Sequence, residues 1–186
     1  MLTRRRFLVT SSIVTVGLAA PRVGRAGGVV EIRMKSDPGG VDVWFDPVGV
    51  LITPGQTVRW INAENVHTTT AYHPKNDMHS LRIPDGATPW DSGYLRNPGD
   101  HFEIVLATEG VYDYYCTPHE EAGMVGRIVV GKPSGPGTLP FDYFRRKPGA
   151  EHWKPVPVSA QRVFPRVALI MAHGVVRREA TARRSR

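Results

Sequence analysis

Three side chains of unlike chemistry fall within nine positions of this 186-residue chain: Cys116, His119 and Met124. They lie in the run Tyr115-Cys116-Thr117-Pro118-His119-Glu120-Glu121-Ala122-Gly123-Met124-Val125-Gly126. A thiolate, an imidazole and a thioether are soft or borderline donors, and together they suit copper far better than magnesium, calcium or manganese. The Thr-Pro turn lets Cys116 and His119 converge on one ion, and the four residues before Met124, with flexible Gly123 among them, bring the thioether back as a weak axial ligand. A second histidine would complete a trigonal His₂Cys plane. His67, at the head of the Thr-rich stretch His67-Thr68-Thr69-Thr70-Ala71-Tyr72, is the candidate.

Each residue alone has an ordinary reading. A lone cysteine is usually a small buried hydrophobe, a lone methionine fills a core, and a loop histidine is solvated. Jointly, Cys-x-x-His-x-x-x-x-Met between two strands, with an upstream histidine, is the arrangement of one mononuclear copper in blue-copper electron-transfer sites. The remaining histidines carry less. His73 and His79 flank Asp77 in a stretch rich in Pro, Asn and Asp, and read as loop residues rather than a second metal site. His101 shares a face with Glu103 and reads as solvated, while His152 and His173 lie in the C-terminal tail.

The elements that must position these residues are short strands. Val30, Ile32 and Met34 alternate with Glu31, Arg33 and Lys35; Val58 and Trp60 with Thr57 and Arg59; Phe102, Ile104 and Leu106 with His101, Glu103 and Val105. Residues 110–116 and 126–130 supply two more strands, one on each side of the Cys-His-Met loop, and 67–72 a further one. With 19 Gly and 16 Pro placed aperiodically and no amphipathic helix before residue 130, the pattern predicts an all-β antiparallel sandwich or barrel. Residues 73–93, with Pro74, Pro84, Gly86 and Pro89, read as an ordered excursion.

The run Gly110-Val-Tyr-Asp-Tyr-Tyr-Cys116-Thr-Pro-His119-Glu-Glu-Ala-Gly-Met124-Val-Gly126 resembles the copper loop of plastocyanins and halocyanin-like small blue proteins, the cupredoxins. Asp91-Ser-Gly-Tyr-Leu, Pro98-Gly and Val66-His67-Thr are similar to other stretches of that family, over about residues 29–131. The resemblance implies an eight-strand Greek-key β-sandwich, copper ligation by His67, Cys116, His119 and Met124, and one-electron traffic between larger redox partners. It also implies an exit for electrons through the edge of His119, with Pro118 and Val125 among its neighbours. Strand parity sets Tyr112, Tyr114 and Cys116 on one face and Tyr115 on the other. If Cys116 faces inward, Tyr115 faces outward, where the resemblance makes it a second electron-transfer surface and an amphipathic surface tyrosine is the equal alternative. One position departs from the family: plastocyanins usually carry Asn after the first His ligand, tying the two ligand segments together, and here it is Thr68.

Charge divides the chain in three. Residues 1–26 hold five arginines and no acid, 27–144 hold 8 basic against 15 acidic groups, and 145–186 hold 11 against 2. The net +7 is therefore no sign of nucleic-acid binding but of an acidic body between two basic ends. Thr3-Arg4-Arg5-Arg6-Phe7-Leu8, the mild apolar run to Ala20 and Gly24-Arg25-Ala26 read as a twin-arginine signal with a small-x-small cleavage site. That predicts export, to a bacterial periplasm, and a mature chain starting near Gly27 with no membrane span. Residues 27–131 form the copper-binding domain. Residues 132–186 form a Pro/Gly-rich basic extension, a linker or a strap, with a short helix near 165–173 from the apolar recurrence at Val163, Phe164, Val167, Ile170, Met171 and Val175, Pro165 at its start and Gly174 at its end. This helix caps the sandwich while its charges offset the acidic body; docking to anionic lipid or an acidic partner is the other reading. The functional expectation is a monomeric electron carrier serving a redox donor and acceptor. Copper delivery or storage is the alternative, disfavoured by a buried cysteine loop. Neither His-x-His nor a second domain is present to make it a copper enzyme, and no catalytic residue is assigned.

Overall fold

A computed structural model describes residues 28–178; the leader, residues 1–26, and the last arginines, Arg183, Arg184 and Arg186, lie outside these. Period-two patterning produces strands wherever one face is wet. In β1 (Val30–Ser36), Ile32 and Met34 are fully buried while Glu31 and Arg33 are exposed. The next two strands, β2 (Val43–Asp46) and β3 (Gly49–Ile52), are only four residues each and were not marked by alternation. They are followed by β4 (Gln56–Asn62), β5 (Thr70–Ala71), β6 (His101–Leu106), β7 (Gly110–Tyr115) and β8 (Val125–Val130).

The strands make two sheets, β2-β1-β4-β6 and one whose first four members are β5-β7-β8-β3. The pairs β1–β4 and β3–β8 are parallel, the others antiparallel, so the chain crosses repeatedly between the layers. Trp60, Phe45, Tyr112, Tyr114, Trp90, Ile128 and Cys116 fill the space between them. Trp60 meets Tyr114 edge-on with centroids 5.3 Å apart, and Phe45 also meets Tyr114 edge-on, at 4.7 Å. The all-β sandwich read from the sequence is the observed fold, with the stretch expected as a strand at 67–72 reduced to β5 and two isolated bridges, His67 to Leu95 and Thr70 to Asp91.

The extension is a strap. It runs through turns at Pro136–Thr138 and Tyr143–Arg146, a one-turn helix α1 (Val158–Gln161), helix α2 (Val167–His173) and a ninth strand, β9 (Val175–Val176), which pairs antiparallel with β3 at the sheet edge. Every residue of β7 and β8 is consequently buried, on both faces. Ile170 of α2 packs on Val111 and Val129, and Gly49 admits it: a Cβ there would stand 2.9 Å from the Ile170 side chain. Phe164 and Ala160 cover Tyr115, Tyr72 and Val125.

Beneath the strap lies a charge cluster that no local pattern disclosed. Asp113 is fully buried and accepts from Arg82 Nε at 2.9 Å, Arg127 Nε at 2.6 Å and Arg127 Nη2 at 2.9 Å. The spare guanidinium N–H groups donate to strap carbonyls, Arg82 to Gly137 and Leu139 at 3.0 Å each and Arg127 to Pro165 at 2.9 Å. The rings of Phe141 and Phe164 cover the two guanidinium planes at 4.3 and 5.0 Å. Further out, Lys154 pairs with Asp77, Arg178 with Asp42 and Arg177 with Asp46, so basic side chains of the extension meet carboxylates of the acidic body. Among the described residues, no helix is long and apolar enough to cross a membrane.

Candidate metal centre

Cys116 directly follows β7, and its N–H is taken by the carbonyl of Met124 at 3.0 Å, which pins the two ends of the loop together. Thr117–His119 form a 3₁₀ turn opened by Pro118, and the His119 carbonyl accepts from Ala122 and Met124 N–H, each at 3.1 Å. Gly123 reverses the chain at φ +83°, a left-handed conformation costly for residues with a Cβ, and a Cβ there would also meet Val163 at 2.9 Å. Met124 is fully buried in the same core as Cys116.

His67 is held by reciprocal main-chain bonds with Leu95, at 3.1 and 2.9 Å, and is itself fully buried. Ser36 Oγ lies 3.1 Å from its Nε2; with the ring proton directed there, Nδ1 presents its lone pair to the loop. That Nδ1 stands 3.2 Å from His119 Nδ1 and 3.7 Å from Cys116 Sγ, while Sγ and His119 Nδ1 are 3.4 Å apart. A point equidistant from the three atoms lies about 2 Å from each, the length of a transition-metal–imidazole bond. Among the described residues these three form the one group of His, Cys, Asp or Glu side chains able to share an ion. Two nitrogens and a sulfur in a triangle, without a carboxylate, fit copper.

The electrostatics keep the donors available. Burial, aided by the neighbouring His119, lowers the His67 pKa to about 4, and burial lowers that of His119 too, so both rings are neutral at pH 7. Burial pushes the Cys116 thiol up to about 11, opposed by the Thr68 N–H directed at Sγ from 3.3 Å. A bound cation reverses that preference and takes the thiolate. Thr68 also makes the tie expected of the family's Asn: its Oγ1 accepts the Thr117 N–H at 2.8 Å and meets the Thr117 hydroxyl at 3.1 Å.

The expected electron-transfer surface needs correction. Pro118 is exposed and His119 half-buried, but Tyr115 is 2% and Val125 1% exposed. Parity placed Tyr115 on the outer face correctly; the strap, docking from residues 141–164, turns that face into interior. Sequence reasoning also missed the groups around it. His79, read as a loop residue, is 5% exposed, with Nε2 3.0 Å from Glu120 Oε2 and Nδ1 3.2 Å from the Tyr115 hydroxyl. Tyr72 donates to the other Glu120 oxygen at 2.7 Å. His73 caps the N–H of Lys75, and His101, His152 and His173 are exposed.

Residues 30–131 match the family described as copper binding proteins, plastocyanin/azurin family. The chain is similar to a plastocyanin of Scenedesmus fuscus, 33% identical over 105 residues that cover 54% of this chain and 98% of the other. A pseudoazurin of Methylorubrum extorquens is 28% identical over 127 residues, 68% of this chain and 77% of its own. The fold is shared with the pseudoazurin structure from Hyphomicrobium denitrificans at a TM-score of 0.50 and 22% identity, over 73% of this chain and 93% of that one.

Proposed function

The chain belongs to the plastocyanin/azurin family of copper-binding proteins, and from that premise we propose that it carries single electrons between a donor and an acceptor redox protein, with one copper held by His67, Cys116, His119 and Met124. The observation that carries this reading is the triangle of His67 Nδ1, His119 Nδ1 and Cys116 Sγ, closed within 3.7 Å by side chains that the fold already fixes. Copper bound there supplies a one-electron couple between Cu(I) and Cu(II).

The protein's own groups do the rest. Ser36 orients His67, Thr68 N–H supports the sulfur, and the Cys116–Met124 main-chain bond keeps the loop from opening. Ligands held this firmly need little movement when the charge of the centre changes, which favours fast transfer. Thr117, Pro118, Glu121 and Ala122 are exposed beside half-buried His119, so a partner reaches the centre at that edge. Delivery or storage would call for accessible, exchangeable donors, whereas Cys116 and Met124 are fully buried. The Arg4-Arg5-Arg6 leader and its apolar run support export by the twin-arginine route, with function in the periplasm. Replacing Arg5 and Arg6 with lysine is expected to stop that export; unchanged periplasmic recovery would refute the route.

The deciding experiment is the visible and EPR spectrum of the protein titrated with Cu(II), repeated on Cys116→Ser, with the electron self-exchange rate measured on the copper form. An intense thiolate-to-copper band with narrow hyperfine splitting, absent from the variant, and fast self-exchange are expected. A pale spectrum with ordinary tetragonal copper signals would overturn the carrier.

A further inference from the structure

We propose that His79 is a positioning residue of the copper centre, a brace between the two backbone segments that carry Cys116 and His119, and that the C-terminal strap sets it in place. The proposal rests on the copper site described above. Tyr115 immediately precedes Cys116 and Glu120 immediately follows His119. The His79 ring spans them, Nδ1 at 3.2 Å from the Tyr115 hydroxyl and Nε2 at 3.0 Å from Glu120 Oε2. It also lies against the Tyr115 ring, centroids 4.5 Å apart and planes 31° from parallel. A displacement of one ligand segment is thus felt at the other through a buried imidazole rather than through the loop alone.

The brace has few alternatives. Nδ1 donates to the Asn76 carbonyl at 3.0 Å and shares that proton with the Tyr115 hydroxyl oxygen at 3.2 Å. Glu120 is held from its second oxygen by Tyr72 at 2.7 Å, so the polar groups of this largely buried cluster have fixed partners. The chain reaches His79 through Asp77 and Met78, both at positive φ, 51° and 57°. Two consecutive non-glycine residues in that region are strained and persist only where the surroundings impose them. Here the strap imposes them. Lys154 accepts from Ser80 N–H at 2.9 Å, donates its own N–H to Met78 at 2.7 Å, and places its ammonium on Asp77 at 2.6 Å. Val156, Ala160 and Phe164 then seal the Tyr72–Tyr115 side. The extension is therefore joined to the metal centre by a direct path, Lys154 to His79 to Tyr115 and Glu120.

The test uses the full chain loaded with Cu(II). His79→Phe keeps a ring and removes its three polar contacts, to Tyr115, Glu120 and the Asn76 carbonyl; Glu120→Gln and the double variant complete a cycle, and His79→Gln restores a donor toward Glu120. Copper affinity is read by chelator competition, together with the thiolate-to-copper band and the reduction potential. Loss of a partner bonded directly to a ligand typically weakens metal affinity about 10–100-fold, and His79 acts one residue further out. His79→Phe is expected to fall at the low end of that range with a shifted band and potential, His79→Gln to recover part of it, and the double variant to lose less than the product of the singles. Ile170→Ala loosens the strap at its far cluster and controls for overall stability. A wild type without a Cys116-dependent band would overturn both the copper site and the brace. A wild type with that band and a His79→Phe variant of unchanged affinity, band and potential, or one that only matches Ile170→Ala at equal stability, would overturn the brace alone.

Discussion

Thr68 grips Cys116 from two sides: its main-chain N–H points at Sγ from 3.3 Å, and its hydroxyl oxygen accepts the N–H of the very next residue, Thr117, at 2.8 Å. The first contact is with the sulfur, the second with the backbone that carries it. They separate by mutation. Thr68→Val keeps the N–H and deletes the acceptor, stranding a donor at a cost of about 1–3 kcal/mol. Denaturant midpoints of the metal-free protein should fall accordingly, while the thiolate-to-copper band of the loaded protein moves little. Thr68→Ser should restore the midpoint, and an unaffected Thr68→Val midpoint would remove this tie from the account.

The metal-free protein should weaken as the solution is acidified from about pH 6.5 to 4. Burial and His119 hold the His67 pKa at about 4 in the folded chain, against roughly 6.5 when unfolded. Between those values the unfolded state binds a proton that the folded state refuses, so unfolding is favoured as pH falls. The slope is about 1.4 kcal/mol per pH unit from this one group. His119, lowered by burial, acts in the same direction. His79 does not oppose them in this window: its pKa is raised despite burial, because Glu120 stabilises the charged ring, and that contribution is lost only on going alkaline. Urea titrations at pH 4 to 7 should give a shallower dependence for His67→Gln than for the parent. Equal slopes would show that His67 is not the titrating group.

Much of this architecture is legible locally because water marks one face of each outer strand. Glu31 and Arg33 against Ile32 and Met34, or Arg59 against Val58 and Trp60, can only be strands with a wet side. The ligand loop is legible for a different reason: Cys116, His119 and Met124 are close in sequence, so their convergence needs only a turn. What is illegible depends on distant segments. Asp113 and Arg127 look like solvent-facing strand residues and are buried, because carbonyls at 137–140 and 165 arrive to meet the guanidinium groups. His79 sits among Pro74, Asn76 and Asp77, which read as loop, and its role comes from Lys154 and Glu120, 75 and 41 positions away. β2 and β3 are four-residue strands, too short for a period to show.

The burial of Tyr115 has a direct chemical readout. Tetranitromethane should nitrate Tyr94, 53% exposed, well before Tyr115, Tyr72, Tyr112 or Tyr114, none above 2%. Peptide mapping after partial reaction resolves the order. Tyr115 labelled as fast as Tyr94 would mean that the strap lifts freely in solution, and the outer face of β7 would again be open to a redox partner.

The strap itself depends on Asp113, the one carboxylate between Arg82 and Arg127. A buried ion pair adds little relative to a well-packed apolar replacement, yet removing one member leaves charge without compensation and costs about 3–5 kcal/mol. Asp113→Ala strands two guanidinium groups at once, both in contact with strap carbonyls. Its unfolding midpoint should drop by that order, and limited proteolysis should cut within residues 132–165 sooner than in the parent. The concerted replacement of Arg82, Asp113 and Arg127 by Met, Leu and Met should recover part of the thermal stability, since no buried charge remains while the Gly137 and Pro165 carbonyls lose their donors. It should not recover protease resistance, because the hydrogen bonds to Gly137, Leu139 and Pro165 are gone. Full resistance in the triple variant would mean that the aromatic contacts of Phe141 and Phe164 hold the strap by themselves, and that the arginines serve only to satisfy Asp113.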